Sequence, residues 1–196
     1  MKIYGDSISG NCHKVKFIAD YLALPYTWQE TNILEGESRT PEYLDKNPQG
    51  QTPMIELSDG RILAQSNAII RYLARESELV PTDPWAAAKV DEWLFWEQYS
   101  HEPYVAVCRF QVVYQDRAIA DRDPWRVERG EAALDLMEDH LRDNAYLTSA
   151  FSIADIALLA YTRLCHEGGF SLDARPAISR WVSACEIRLG ITHSTD

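Results

Sequence analysis

With 196 residues the chain can bury a sizeable core in one large domain or two small ones, and its apolar and charged shares are those of an ordinary soluble globular protein. A formal net charge of −11 without a basic cluster argues against nucleic acid and anionic membrane as partners. No apolar run approaches the roughly 20 residues of a membrane span, and the opening Met-Lys-Ile-Tyr-Gly-Asp starts no signal-peptide core, so a cytoplasmic protein is expected.

In chain order, residues 2–4 read as a short strand and residues 6–12, Asp-Ser-Ile-Ser-Gly-Asn-Cys, as a polar loop rich in turn formers. From His13 onward Val15, Ile18, Ala19 and Leu22 recur at helical spacing, and the pattern stops before Pro25. Residues 26–31 alternate as a second strand. Thr40-Pro41-Glu42 places a capping hydroxyl, a proline at the first helical position and an acid in the first turn of a short helix. Asn47-Pro48 and Gly50 form a turn ahead of an apolar strand at 54–57, and Ser58-Asp59-Gly60 turns the chain into a returning strand at 61–64. The period then becomes helical, with Ile69, Ile70, Leu73 and Ala74 on one face and Ser66 at the N-cap position. The resulting β-α-β-α-β-β-α order is that of a thioredoxin-like α/β domain over residues 1–77.

Residues 76–82 form a polar connection containing Pro81, a plausible domain boundary, and the rest holds no convincing strand. An all-α domain over 84–196 is therefore expected. Asp83-Pro84-Trp85 and Asp123-Pro124-Trp125 use one helix-start device twice, with Asp at the N-cap and Pro behind it. The first of these helices carries Val90, Trp93, Leu94 and Glu97 toward about Asp116, and Pro103 must interrupt its backbone bonding and bend it. The second spans 124–142 with Ala133, Leu134 and Met137 inward. Phe151-Ser152-Ile153-Ala154-Asp155-Ile156 spells a capping box with a hydrophobic staple. A helix near 177–189 closes the chain before a short polar tail, so no long C-terminal lid is expected.

Chemistry is expected at two helix starts. Ser9, Gly10, Asn11 and Cys12 lie where N–H groups and the helix dipole favour a thiolate. Ser66 opens the helix behind the hairpin, where unpaired N–H groups attract a carboxylate or phosphate. Cys12 reads as a partly buried structural cysteine, with a reactive nucleophile as the alternative. With Cys108, Cys165 and Cys185 it shows no paired spacing, so neither a disulfide framework nor a zinc site is expected.

The motif Asn-Pro-x-Gly-x-x-Pro, a short hairpin, then Gln-Ser-Asn-Ala-Ile resembles the glutathione-binding half of cytosolic glutathione S-transferases. Ser9 falls where theta-, zeta- and nu-type members carry a catalytic Ser or Thr, and Asn11 with His13-Lys14 is similar to the nu-type Thr-x-Asn-Gly-His-Lys motif, from which Cys12 departs. Gln65-Ser66-Asn67-Ala68-Ile69 looks more like the mu and sigma types, and the capping box at Ser152 resembles the one in the family's helical domain. The resemblance implies a thioredoxin-like domain followed by an all-α domain, with glutathione as co-substrate and no metal. Ser9 and Asn11 would stabilise the thiolate. Thr52, before a cis Pro53, would pair through its backbone with the cysteinyl part. Gln65 and Ser66 would hold the γ-glutamyl end, with Gln51 and Arg39 at the glycyl end. The co-substrate would rest between Ile8 and the middle of the Pro84 helix, near His101, Tyr104 and Cys108. It also implies a homodimer packed through the Ser66 and Pro84 helices, with Trp85, Ala88 and Trp93 supplying apolar surface. The expected activity is a detoxifying glutathione transferase acting on a small hydrophobic electrophile. A glutathione-dependent disulfide reductase or peroxidase, or a non-catalytic glutathione-binding protein, are the alternatives.

Overall fold

The computed structural model describes residues 1–191 and divides into two compact units, one spanning Met1–Ser77 and a second beginning at Glu78. The tail expected beyond the closing helix lies mostly outside the described residues.

The first unit runs β1 (Lys2–Gly5), α1 (Gly10–Tyr21), β2 (Thr27–Glu30), a 3-10 turn (Glu37–Arg39), α2 (Pro41–Lys46), β3 (Met54–Glu56), β4 (Ile62–Ala64) and α3 (Ser66–Leu73). Its sheet has the order β2-β1-β3-β4. Strand β1 pairs parallel to β2, with Ile3 opposite Trp28, and antiparallel to β3, with Ile3 opposite Ile55. The parallel pair needs a crossover, which α1 supplies. Ile3, Met54 and Ile55 from the sheet, Val15 and Ile18 from α1, and Ile69 and Ile70 from α3 are wholly buried. Helices α1 and α3 pack together, so the periodic stripes read from the sequence are the unit's core.

Two local readings need correction. Helix α1 starts at Gly10, before His13, because Ser9 is extended (φ −78°, ψ 124°) and the small residues after it enter the first turn. The N-cap of α3 is Gln65 rather than Ser66, and Ser66 is the first residue of the helix. Thr40 does cap α2, its Oγ1 accepting from Tyr43 N at 3.4 Å.

The second unit contains α4 (Pro84–Trp96), a π-helical segment (Glu97–Ala106), α5 (Val107–Val113), α6 (Pro124–Asp143), α7 (Ile153–Thr162) and α8 (Pro176–Leu189). Asp83 caps α4 by accepting from Ala86 N at 2.8 Å. Pro103 sits inside the π-helical segment. Its missing N–H and its ring preclude regular α bonding, and a widened turn accommodates both. Asp123 stands at the N-cap of α6 but makes no capping bond. Its carboxylate instead accepts from Gln111 Nε2 (3.1 Å), Arg126 Nε (3.1 Å) and Arg117 Nη2 (3.3 Å). Every residue of α7 is buried, and its capping box is complete: Ala154 N donates to Ser152 Oγ, and Ser152 N donates to Asp155 Oδ2. Asp155 Oδ1 also accepts from Leu147 N and Trp181 Nε1, both at 2.9 Å. The capping acid therefore ties α7 to α8 and to the preceding loop.

Among the described residues no helix is long and apolar enough to cross a membrane, and no His, Cys, Asp and Glu cluster is arranged to hold a metal ion.

Candidate functional site

Three chain segments of the first unit carry the expected binding residues. The first is the loop ahead of β3. Tyr43 Oη and Asn47 Nδ2 both donate to Gln51 O at 2.8 Å, fixing the loop from α2. Burial pushes the Tyr43 phenol up to about 12, so it remains a donor. Gly50 adopts φ +60°, and a Cβ there would fall 2.6 Å from Arg39 Nη1 and 2.9 Å from Ser38 O, so glycine is required. Arg39 Nη1 donates to Gln49 O at 3.1 Å, which places the guanidinium over this turn. The Thr52-Pro53 bond is cis, and Thr52 stands just outside the ladder, which begins at Met54.

The second segment leads into α1. Asp6, almost wholly buried, organises it: Ile8 N donates to Asp6 Oδ1 at 3.0 Å and Ser9 N to Asp6 O at 3.1 Å. Ile8 is thereby held 43% exposed. Ser9 occupies the N-cap position without spending its side chain on a capping bond. Cys12 is fully buried and its Sγ accepts from Asp6 N at 3.3 Å. Burial pushes its thiol up to about 11, against the pull of hydrogen bonds from Asp6 N and the Thr52 and Ser9 side chains. A thiol of that pKa is ionised in fewer than about one molecule in a thousand at neutral pH. Cys12 is thus a buried thiol, as the first of the two readings its sequence position allows expects.

The third segment is the start of α3. Gln65 holds the left-handed φ of +71°, uncommon for a residue with a side chain, and its Nε2 donates to Gln49 Oε1 at 2.7 Å. That bond ties the first segment to the third. Ser66 is 6% exposed, and its Oγ donates to Asn11 Oδ1 at 3.0 Å, tying the third to the second. Asn11, expected beside the thiolate, thus has its side-chain oxygen engaged by Ser66. Sequence reasoning passed over Lys14, whose Nζ lies 3.3 Å from Asn67 Oδ1 and 3.5 Å from Ser66 Oγ with the side chain wholly buried. The signal was present: Lys14 stands four residues before Ile18, on the stripe that faces inward.

In the second unit the expected co-substrate residues are not gathered. His101 is wholly buried, its Nε2 3.1 Å from Thr162 Oγ1, so it is a residue of the helical core rather than the polar wall of an open site. Cys108 is also wholly buried, which raises its thiol pKa. Neither can line an open site in this arrangement. Tyr104 is half-buried, with its hydroxyl accepting from Arg129 Nη1 at 3.0 Å and its ring edge-on to Trp125.

The family model for the N-terminal domain of glutathione S-transferases matches residues 8–76, and the one for their C-terminal domain matches residues 117–184. Among solved structures the chain is similar to a glutathione S-transferase from Pseudomonas fluorescens Pf-5, 45% identical over 94% of each chain with a TM-score of 0.90. It is also similar to one from Xanthobacter autotrophicus Py2, 38% identical over 94% of this chain and 92% of that one, with a TM-score of 0.89. Glutathione S-transferase 3 of Zea mays is 29% identical over 96% of this chain and 90% of its own length.

Proposed function

Because the chain belongs to the glutathione S-transferase family, we propose that it stabilises the thiolate of bound glutathione and directs it at a small hydrophobic electrophile. The observation that carries this reading is the hydrogen bond from Ser66 to Asn11, which draws together the two helix starts that bear Ser9 and Ser66. A free thiol has a pKa of about 8.5, so only a few per cent is thiolate at neutral pH. Lowering it by about two units requires roughly 2.7 kcal/mol of preferential interaction with the anion. A hydroxyl donor from Ser9 together with the N–H groups and dipole at the start of α1 can supply that amount. Ser9 is then a donor to sulfur and forms no covalent bond.

The tripeptide would lie extended, its cysteinyl part paired with the Thr52 backbone at the end of the β3 ladder. Its γ-glutamyl carboxylate would meet Ser66 and the N–H groups of α3, with Gln65 beside its ammonium. Gln51 and Arg39 would take the glycyl carboxylate. The bond from Ser66 to the Asn11 oxygen links Asn11 to the γ-glutamyl end.

The test is turnover with glutathione and each of 1-chloro-2,4-dinitrobenzene, hydroxyethyl disulfide and cumene hydroperoxide. Conjugation of the first should dominate. A calorimetric titration without glutathione binding would overturn the reading in favour of a non-catalytic relative. Cys12→Ala should retain most of the conjugating activity, because a buried, protonated thiol has no part in the chemistry. A folded Cys12→Ala protein without activity would move the chemistry to sulfur on the chain itself.

We extend the reading to a homodimer. Trp93 packs against Trp96 and His140 in the core, so it is withdrawn from the expected interface. Trp85, Phe95 and Tyr99 are 76%, 75% and 82% exposed and, with Ala88, recur near helical spacing along α4 and its π-helical extension. Light scattering at micromolar concentration should give a dimer, and Phe95→Glu should give a monomer. A wild-type monomer would refute this.

A further inference from the structure

Among the described residues Lys14 is one of the largest fully buried side chains, and of those it is the one that carries a charge. An ammonium withdrawn from water must be solvated by protein oxygens instead. Two of these are the side-chain oxygens of the first two residues of α3: Ser66 Oγ at 3.5 Å and Asn67 Oδ1 at 3.3 Å. A fixed cation therefore stands behind the opening turn of α3, a turn that carries no acidic residue and whose backbone N–H groups already favour an anion.

The bonding of Ser66 Oγ defines what that cation can do. The hydroxyl donates to Asn11 Oδ1 and accepts from Lys14 Nζ. When a carboxylate reaches the start of α3, the O–H can turn from Asn11 to the carboxylate while the bond from Lys14 is kept. A hydroxyl that accepts from an ammonium is a stronger donor, because linked hydrogen bonds polarise one another.

We infer that Lys14 is a positioning residue for recognition of an α-carboxylate, acting through Ser66 from inside the fold. The inference rests on the reading above, in which the γ-glutamyl end of glutathione binds at α3, and it adds the group that makes that end selective for the carboxylate.

The experiment is calorimetric titration of wild type, Lys14→Met, Ser66→Ala and the double variant with two ligands. One is glutathione, and the other is 4-aminobutanoyl-cysteinylglycine, the same tripeptide without the α-carboxylate. Wild type should bind glutathione about a hundredfold more tightly than the analogue. Lys14→Met should weaken glutathione about tenfold while changing the analogue less than about twofold, and Lys14→Arg should restore part of the preference. In the Ser66→Ala background Lys14→Met should have little further effect, since the two act as one unit. Equal weakening of both ligands by Lys14→Met, or an undiminished effect in the Ser66→Ala background, overturns the inference and leaves the glutathione reading standing. A wild type that binds both ligands equally well overturns the γ-glutamyl placement itself. Should Lys14→Met fail to fold, the Lys14 side-chain ammonium resonance of wild type decides: it should shift with glutathione and not with the analogue, and an indifferent resonance overturns the inference.

Discussion

Asp155→Ala should destabilise the helical unit by about 4 kcal/mol. The carboxylate serves three buried donors at 2.9 Å: Leu147 N, Ser152 N and Trp181 Nε1. All three residues are themselves buried, so water cannot replace the lost acceptor. Each donor left unsatisfied costs on the order of 1–3 kcal/mol, and the shortened side chain adds a small void beside Trp181. Asp155→Asn should cost less, since its carbonyl can still receive Leu147 and Trp181 while its amide opposes Ser152 N–H. Urea titration followed by tryptophan fluorescence measures this: at a slope of about 2 kcal/mol/M the midpoint should fall by about 2 M for the alanine variant. A shift smaller than about 0.5 M would mean that the network is dispensable and that Asp155 serves only as a helix cap.

The same residue shows how far sequence alone reaches. The capping box at Ser152 was legible because its two bonds join residues two and three apart, a spacing visible in the string itself. The link from Asp155 to Trp181 was not legible, because nothing local marks a partner 26 residues away. Asp83 and Asp123 make the contrast sharper, since both precede Pro-Trp and both occupy an N-cap. Asp83 caps its helix, whereas Asp123 is claimed by Gln111, Arg117 and Arg126. Three charge-assisted or amide donors outweigh one backbone N–H, and a cap rule contains no information about them.

The binding elements follow the same division. The order of strands and helices, the cis bond at Pro53 and the burial of Cys12 agree with the sequence reading, because they depend on period, turn chemistry and motif. Ser66 was misplaced by one residue because Gln65 takes a left-handed φ that nothing in the local sequence leads one to expect of a glutamine. The bond of Asn11 to Ser66 and the burial of Lys14 emerge only once α3 is packed against α1. His101, an odd residue for a packed interior, is accommodated there by Thr162 from α7. Polar residues on buried stripes are where single-sequence patterning is weakest, since their partners come from other elements.

Ser9→Ala should lower conjugation of 1-chloro-2,4-dinitrobenzene by about five- to fiftyfold at pH 6.5, with the deficit closing as the pH rises toward 9. The pH dependence follows from the proposed role. A charge-assisted hydrogen bond from the serine to sulfur is worth about 1.5–3 kcal/mol, which corresponds to one or two units of thiol pKa. Below the pKa values of both proteins the thiolate fraction scales tenfold per unit, so the variant loses activity by that factor. Above both values each protein holds glutathione fully ionised, and the rates converge. A serine that merely shaped the loop would produce a deficit that is equal at every pH. Ultraviolet titration of bound thiolate separates the two cases without reference to turnover, because only the first moves the titration midpoint upward. Ser9 spends no side-chain bond on capping α1, but its hydroxyl bonds the buried Cys12 sulfur, so the substitution should cost about 1 kcal/mol of stability. A Ser9→Ala protein that is folded and as active as wild type at pH 6.5 would assign the thiolate to the backbone N–H groups of α1 alone.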